Sequence, residues 1–180
     1  MGGPIWADPI CDVDFTDRVI KSVCNNDLKL NTKERIIGIL TMHKEELHDV
    51  PLYLTSDGIF SKVHTNIMSL LNMRSAILNA GYRVSMSHAA QGSIKTDAPH
   101  GFIWDIVRTW VKDNPVKESR LNEDNVMKSL LEKECTYQIS FDPHPDANPK
   151  SRAEKLVRFQ KNPEKYWGPK AKAKRYIGNS

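Results

Sequence analysis

From Asp14 to Asn26 apolar side chains recur at Phe15, Val19, Ile20, Val23 and Cys24. That spacing marks one face of a helix, and the Asn25-Asn26 pair closes it. Asn31 with Glu34 three residues on forms a capping-box pattern, which predicts a helix to about Leu47 with Ile36, Ile37 and Leu40 inward and Pro51 as its stop. An extended PLYLT follows, and Ser56 is expected to cap a short helix carrying Ile59, Phe60 and Val63. A third helix is predicted from Asn66, with Ile67, Leu70, Leu71, Ile77 and Leu78 buried and Gly81 as its C-terminal cap. The period then changes to two. Tyr82, Val84 and Met86 alternate with Arg83, Ser85 and Ser87, and after the turn AAQG a second strand runs SIKTD. Helix, short strand, helix, helix, hairpin is the order of a winged-helix module.

Beyond Pro99, helical spacing returns at Phe102, Ile103, Ile106, Val107 and Trp110, and again from Glu123 to Lys133 at Val126, Met127, Leu130 and Leu131. Tyr137, Ile139 and Phe141 alternate with polar residues and predict a strand. Ser151 with Glu154 repeats the capping-box pattern and predicts a short basic helix to about Lys161, before NPEKYWGP reads as extended chain. At the other end, GGPIW reads as a linker delivering an aromatic anchor, Trp6. The fold class expected is α+β: a winged-helix-like core of three helices plus a β-hairpin, with additional helices and an extended basic C-terminal arm. The expected division is 1–30 as linker and N-terminal helix, 31–142 as the winged-helix-like domain, and 143–180 as the arm.

Charge sharpens this picture. Residues 143–180 carry ten Lys/Arg against three acids, whereas the rest of the chain has 16 basic against 19 acidic residues. Such asymmetry points to a polyanionic partner. The 39% hydrophobic and 27% charged composition over 180 residues suits one buried core plus an arm. No apolar run approaches the roughly 18 residues of a membrane span, and the start lacks a signal-peptide pattern, so an intracellular protein with no membrane partner is expected.

Catalytic signatures are missing. The chain has no GxGxxG, no GxxxxGK[ST] and no GxSxG. Cys11, Cys24 and Cys135 form no CxxC pair and read as reduced thiols. His43 and His48, five residues apart, are poorly spaced for chelation on a helix, so no metal site is expected. Glu45 and Glu46 are adjacent and diverge around a helix, which predicts a solvated face, and Asp97 before Ala98-Pro99 reads as a turn former.

What remains is electrostatic. Lys and Arg neutralise phosphates, and exposed rings stack on unpaired bases. The phosphate candidates are Arg83 and Lys95 on the polar face of the hairpin, then Lys150, Arg152, Arg158, Lys161, Lys170, Lys172, Lys174 and Arg175. Tyr166 and Trp167 are candidates for stacking or for packing, and an arm that packs Phe159 and Trp167 on the domain with its cations solvated stays open.

Six strings are more specific: GGPIW (2–6), DVPLYLTSD (49–57), RSAILNAGYRVSMSHA (74–89), IKTDAP (94–99), PHPDANPKSR (143–152) and RFQKNPEKYWGP (158–169). In this order they resemble the C-terminal half of the tRNA (guanine-26-N2)-dimethyltransferases across nearly the whole chain. The resemblance implies a tRNA-binding role for this chain, beside an N-terminal class I methyltransferase domain that binds S-adenosylmethionine and dimethylates the exocyclic amine of a tRNA guanosine. Its glycine-rich turn and Asp-Pro-aromatic motif do not occur here, and DPHP at 142–145 lacks the aromatic. The expectation is therefore no catalytic or cofactor residue in this chain, tRNA and the methyltransferase domain as partners, and no activity alone. Two other readings stand beside it. One is a winged-helix DNA-binding or protein-interaction module, though its presumed recognition helix carries only Arg74 as a cation. The other is a scaffold that scarcely touches RNA.

Overall fold

In the computed structural model, residues 3–25, 30–117, 119 and 125–159 are described. The chain order is α1 (Val13–Asn25), α2 (Lys33–Glu45), β1 (Leu54–Thr55), α3 (Ser56–Lys62), α4 (Leu70–Asn79), β2 (Val84–Met86), β3 (Ser93–Thr96), α5 (His100–Asp113), α6 (Asn125–Leu131), a 3-10 turn (Pro145–Ala147) and the single-turn helix α7 (Lys150–Ala153). The class is α+β. The sheet is antiparallel in the order β1-β3-β2, and Ile94 of the central strand lies opposite Leu54 on one side and Met86 on the other.

Most of the core lies where periodicity puts it. Phe60 and Val63 of the α3 region, Met73, Ala76 and Ile77 of α4, Ile94 of β3, and Phe102, Ile103, Ile106 and Val107 of α5 are buried together. Removing this much apolar surface from water is the main force holding the three helices on the sheet. Gly81 has φ +83, its N–H bonds the Leu78 carbonyl, and Tyr82 N–H bonds the Ile77 carbonyl. Those two bonds are a Schellman ending, and they turn the chain from α4 directly into β2.

Several expected details differ. The cap of α3 is Thr55, whose Oγ1 accepts from Gly58 N–H at 3.2 Å, so Ser56 is already inside the helix and buried. α4 starts at Leu70 behind the cap Ser69, four residues later than expected, while the Asn66 carbonyl accepts from the Trp110 indole at 2.8 Å. The Asn31/Glu34 pair is no capping box: Thr32 precedes α2 and no side chain caps it. The second such pair also fails, because Pro149 leads into α7 and the Ser151 hydroxyl bonds Glu45 Oε2 at 2.5 Å. α7 ends at Ala153, with Lys155 at φ +55, well short of Lys161. Trp6 is exposed and anchors nothing among the described residues.

No strand forms over Tyr137–Phe141. Its backbone is tied to side chains instead. Asp105 on α5, fully buried, accepts from Thr136 N–H at 2.9 Å and Tyr137 N–H at 3.0 Å while also holding Arg108. Tyr137 then meets Phe102 edge-on at 5.3 Å, and Phe141 meets Trp110 at 6.1 Å. Ile139 and Phe141 are partly buried against the core while Tyr137 stays exposed at its edge, so alternation appears without a ladder.

α4 also docks the following segment. Arg74 Nε donates to the Ala147 carbonyl at 2.5 Å, Ser75 Oγ accepts from His144 N–H at 3.1 Å, and Asn79 Nδ2 donates to the Asp142 carbonyl at 2.9 Å. Among the described residues no helix is long and apolar enough to cross a membrane.

Candidate nucleic-acid interface

The hairpin alternates as expected, but its polar face is covered. Val84 lies opposite Thr96 and Ser85 opposite Lys95, which puts Arg83, Ser85, Lys95 and Asp97 on one side. The chain leaving α2 lies over that side. Leu47 N–H donates to Ser85 Oγ at 2.9 Å, and Glu46, 5% exposed, reaches in beside it.

Glu46 is saturated. Oε1 pairs with Lys95 Nζ at 2.9 Å and accepts from Ser87 Oγ at 3.2 Å, while Oε2 accepts from His88 N–H at 3.1 Å and faces His88 Nδ1 at 2.7 Å. Burial pushes this carboxyl up, but the bonds from His88 and Lys95 outweigh it and hold the pKa down at about 2. Lys95 is itself 6% exposed and also approaches the Leu47 carbonyl at 3.4 Å. Its ammonium therefore serves the fold. Arg83 is exposed but clamped between two carboxylates, with Nε to Asp97 Oδ2 and Nη2 to Asp49 Oδ2 both at 2.7 Å. The guanidinium holds both carboxyls below their usual range. That group of three is net negative, a poor receiver of phosphate. Asp97 does more than turn the chain, since Oδ1 also accepts from Arg83 N–H at 2.9 Å.

His43 pairs with His88 and not with His48, the two rings stacking at 3.9 Å. Burial, then the neighbouring His88, lowers the His43 pKa. Ligand atoms of His43, Glu46 and His88 lie within 4.8 Å of one another. Lys95, however, already supplies the cation that Glu46 faces. Glu45 and Glu46, expected on a solvated face, both point into the structure: Glu45 accepts from Ser151 N–H at 2.8 Å and from its hydroxyl. Nothing in the local pattern of α2 signals this, because both partners lie far along the chain.

A second group of cations is differently placed. Lys150 and Arg152 are exposed on α7, and among the described residues Lys150 has the weak surface partner Glu154 at 3.7 Å. Arg158 is half-buried, with Nη1 3.2 Å from Met86 Sδ, and its Nε is enclosed without an acceptor among the described residues. Burial lowers its pKa, then Arg152 does so by like-charge repulsion, and Glu45 opposes them. Arg74 joins this group from α4, and no local pattern around it signals that placement. Lys161, Tyr166, Trp167, Lys170, Lys172, Lys174 and Arg175 lie outside the described residues.

Comparison with known proteins gives a consistent picture. The family profile described as N2,N2-dimethylguanosine tRNA methyltransferase matches residues 1–108. The chain is 49% identical over 174 residues to the tRNA (guanine(26)-N(2))-dimethyltransferase of Homo sapiens, covering 97% of this chain and 26% of that protein. It is 46% identical to the Drosophila melanogaster enzyme of the same name, over 100% of this chain and 32% of that protein. The mitochondrial enzyme of Saccharomyces cerevisiae is 28% identical, with 96% and 33% covered. A solved complex of Trm1 from Pyrococcus horikoshii with S-adenosyl-L-methionine is 30% identical, covers 56% of this chain and 27% of that one, and has a TM-score of 0.48. The chain thus spans about a quarter to a third of the length of these curated relatives.

Proposed function

The chain belongs to the N2,N2-dimethylguanosine tRNA methyltransferase family, and from that premise we propose that it docks and orients tRNA for a methyltransferase portion lying outside these 180 residues. The relatives named above are tRNA guanine-26 dimethyltransferases; on this reading the whole protein is one too, working inside the cell, with S-adenosylmethionine bound by the methyltransferase portion. A guanine exocyclic amine is a weak nucleophile, so holding it in line with a sulfonium methyl supplies much of the acceleration. Bases buried in folded tRNA must also be exposed, and backbone grip offsets part of the unstacking cost.

The observation that carries this reading is the gathering of Arg152 and Arg158, from the first part of the basic arm, beside Arg74, with exposed Lys150 on the same helix as Arg152. Arg83 and Lys95 leave the phosphate-binding set, since their charges are matched internally. Tyr166 and Trp167 stay in the tRNA-binding set for stacking, and Lys161, Lys170, Lys172, Lys174 and Arg175 stay in it for phosphate.

The β1-β3-β2 sheet behind α2, α3 and α4 supports a winged-helix reading of residues 31–142, with the 143–180 arm tied to that body through its first half and 1–30 as linker and first helix. Duplex DNA is disfavoured as the partner. Arg74, the cation on α4, is 2% exposed, so the outer face of that helix offers Leu71 and Asn79 and no charge to a major groove.

The test is the salt dependence of tRNA binding. If about half of the arm's ten cations contact phosphates, log affinity falls against log salt with a slope of about −3 to −4. Lys150→Gln with Arg152→Gln flattens it by about 1.4, and deletion after Gly168 flattens it further. Slopes unchanged in both, or a preference for duplex DNA of equal phosphate content, would overturn the reading.

A further inference from the structure

Among the described residues, Arg74 is a buried cation without an anion. Its Nε is bonded to the Ala147 carbonyl, but Nη1 and Nη2 are both enclosed with no acceptor among those residues. An uncompensated buried charge is among the least favourable arrangements a fold can hold. Burial, then repulsion from Arg152 and Arg158, brings its pKa down to about 10, which still leaves it charged at neutral pH. Arg158 adds an enclosed Nε without an acceptor. Glu45, the carboxylate acting on Arg158, has both oxygens bonded to Ser151. Lys150 and Glu154 face each other at the surface.

We propose that Arg74, Arg152 and Arg158 form an oxyanion site that takes one phosphate group, and that its occupant in the working protein is a backbone phosphodiester of bound RNA. The donor set fits that chemistry. Nη1 and Nη2 of Arg74 are a free planar fork, suited to two oxygens of one phosphorus, and the Arg158 Nε and the Arg152 guanidinium offer further donors for the rest. A carboxylate has only two oxygens and one charge, and a single guanidinium satisfies it. The cluster grades from exposed Arg152 through half-buried Arg158 to enclosed Arg74, so an anion meets the exposed cation first and the unpartnered one behind it.

The phosphate site stands on these contacts alone, whereas the RNA occupant rests on the tRNA-docking reading. Thermal unfolding of the 180-residue chain in inorganic phosphate, against chloride at matched ionic strength, tests the first. At phosphate about fivefold above its dissociation constant, the wild-type midpoint rises by about 2–4 °C. Arg74→Met loses this increment, and Arg158→Met, at a less buried position, loses it too and serves should the first variant not fold. Each variant also reduces the tRNA salt slope by about 0.7. No phosphate increment in the wild type, or an undiminished one in the variants, overturns the site. A normal increment with unchanged tRNA slopes overturns the RNA occupant and leaves free phosphate as the ligand. A wild-type chain that responds to phosphate but does not bind tRNA overturns the docking reading and supports the site.

Discussion

The Val157 backbone lies directly on Gly38: a Cβ built on Gly38 would stand 2.2 Å from the Val157 carbonyl oxygen and 2.9 Å from its nitrogen. Glycine inside α2 costs that helix about 1 kcal/mol relative to alanine, and in exchange residues 156–158 cross the helix in contact with it. Arg158 is delivered to Met86 and Arg74 by this crossing.

Gly38→Ala is therefore expected to destabilise the chain by about 1–3 kcal/mol despite its better helix propensity, because the clash is with backbone and not with a side chain that can move. Urea unfolding measures the loss. The same variant weakens tRNA binding, and a variant more stable than wild type would show that the crossing segment is free to lift.

Lys95→Met separates fold from binding. It strips the buried Glu46 of its closest cation, and breaking such a pair costs about 3 kcal/mol. The tRNA salt slope is expected to stay as it is. A shallower slope at unchanged stability would return Lys95 to the phosphate-binding set.

Arg83→Gln gives the complementary result at the surface. Since Asp49 and Asp97 remain beside it, the local charge becomes more negative and tRNA affinity falls slightly, but no phosphate contact is lost and the slope does not change. Filter binding at four or five salt concentrations reads this directly.

Stability should fall in two steps as the pH drops. His43 titrates lower in the fold than its ordinary 6.5, so its contribution is present above that value and is lost as pH falls below it. Glu46, held at about 2 against an ordinary 4.5, contributes above 4.5 and loses that contribution as pH falls toward 2. Unfolding free energy measured from pH 8 to 2.5 should show both declines. His43→Gln removes the upper one and Glu46→Gln the lower.

Legibility from sequence followed range. The hairpin, the Gly81 ending and the α5 stripe are written in neighbouring residues, and each took its expected place. Lys95 looked like a free cation because its partner Glu46 lies 49 positions earlier, and no periodicity reports so distant a charge. Ser151 and Glu154 had capping-box spacing, yet Glu45 on α2 takes the hydroxyl that a cap would use. Tyr137, Ile139 and Phe141 alternate as a strand does, but among the described residues no strand pairs with them, and Tyr137 and Phe141 instead meet the rings of Phe102 and Trp110. Arg74 is the one cation in the α4 sequence, where charge alone predicts an outward side chain; burial gives it the opposite role.

Asp105 carries one more consequence. By fastening the Thr136 and Tyr137 amides to the middle of a core helix, it makes the irregular stretch between α6 and the 3-10 turn open only when α5 does. Those two amides should exchange with deuterium as slowly as the helix interior. In Asp105→Asn they should be released early, and local order in this protein would then be seen to follow the reach of a single carboxylate more closely than the boundaries of helix and strand.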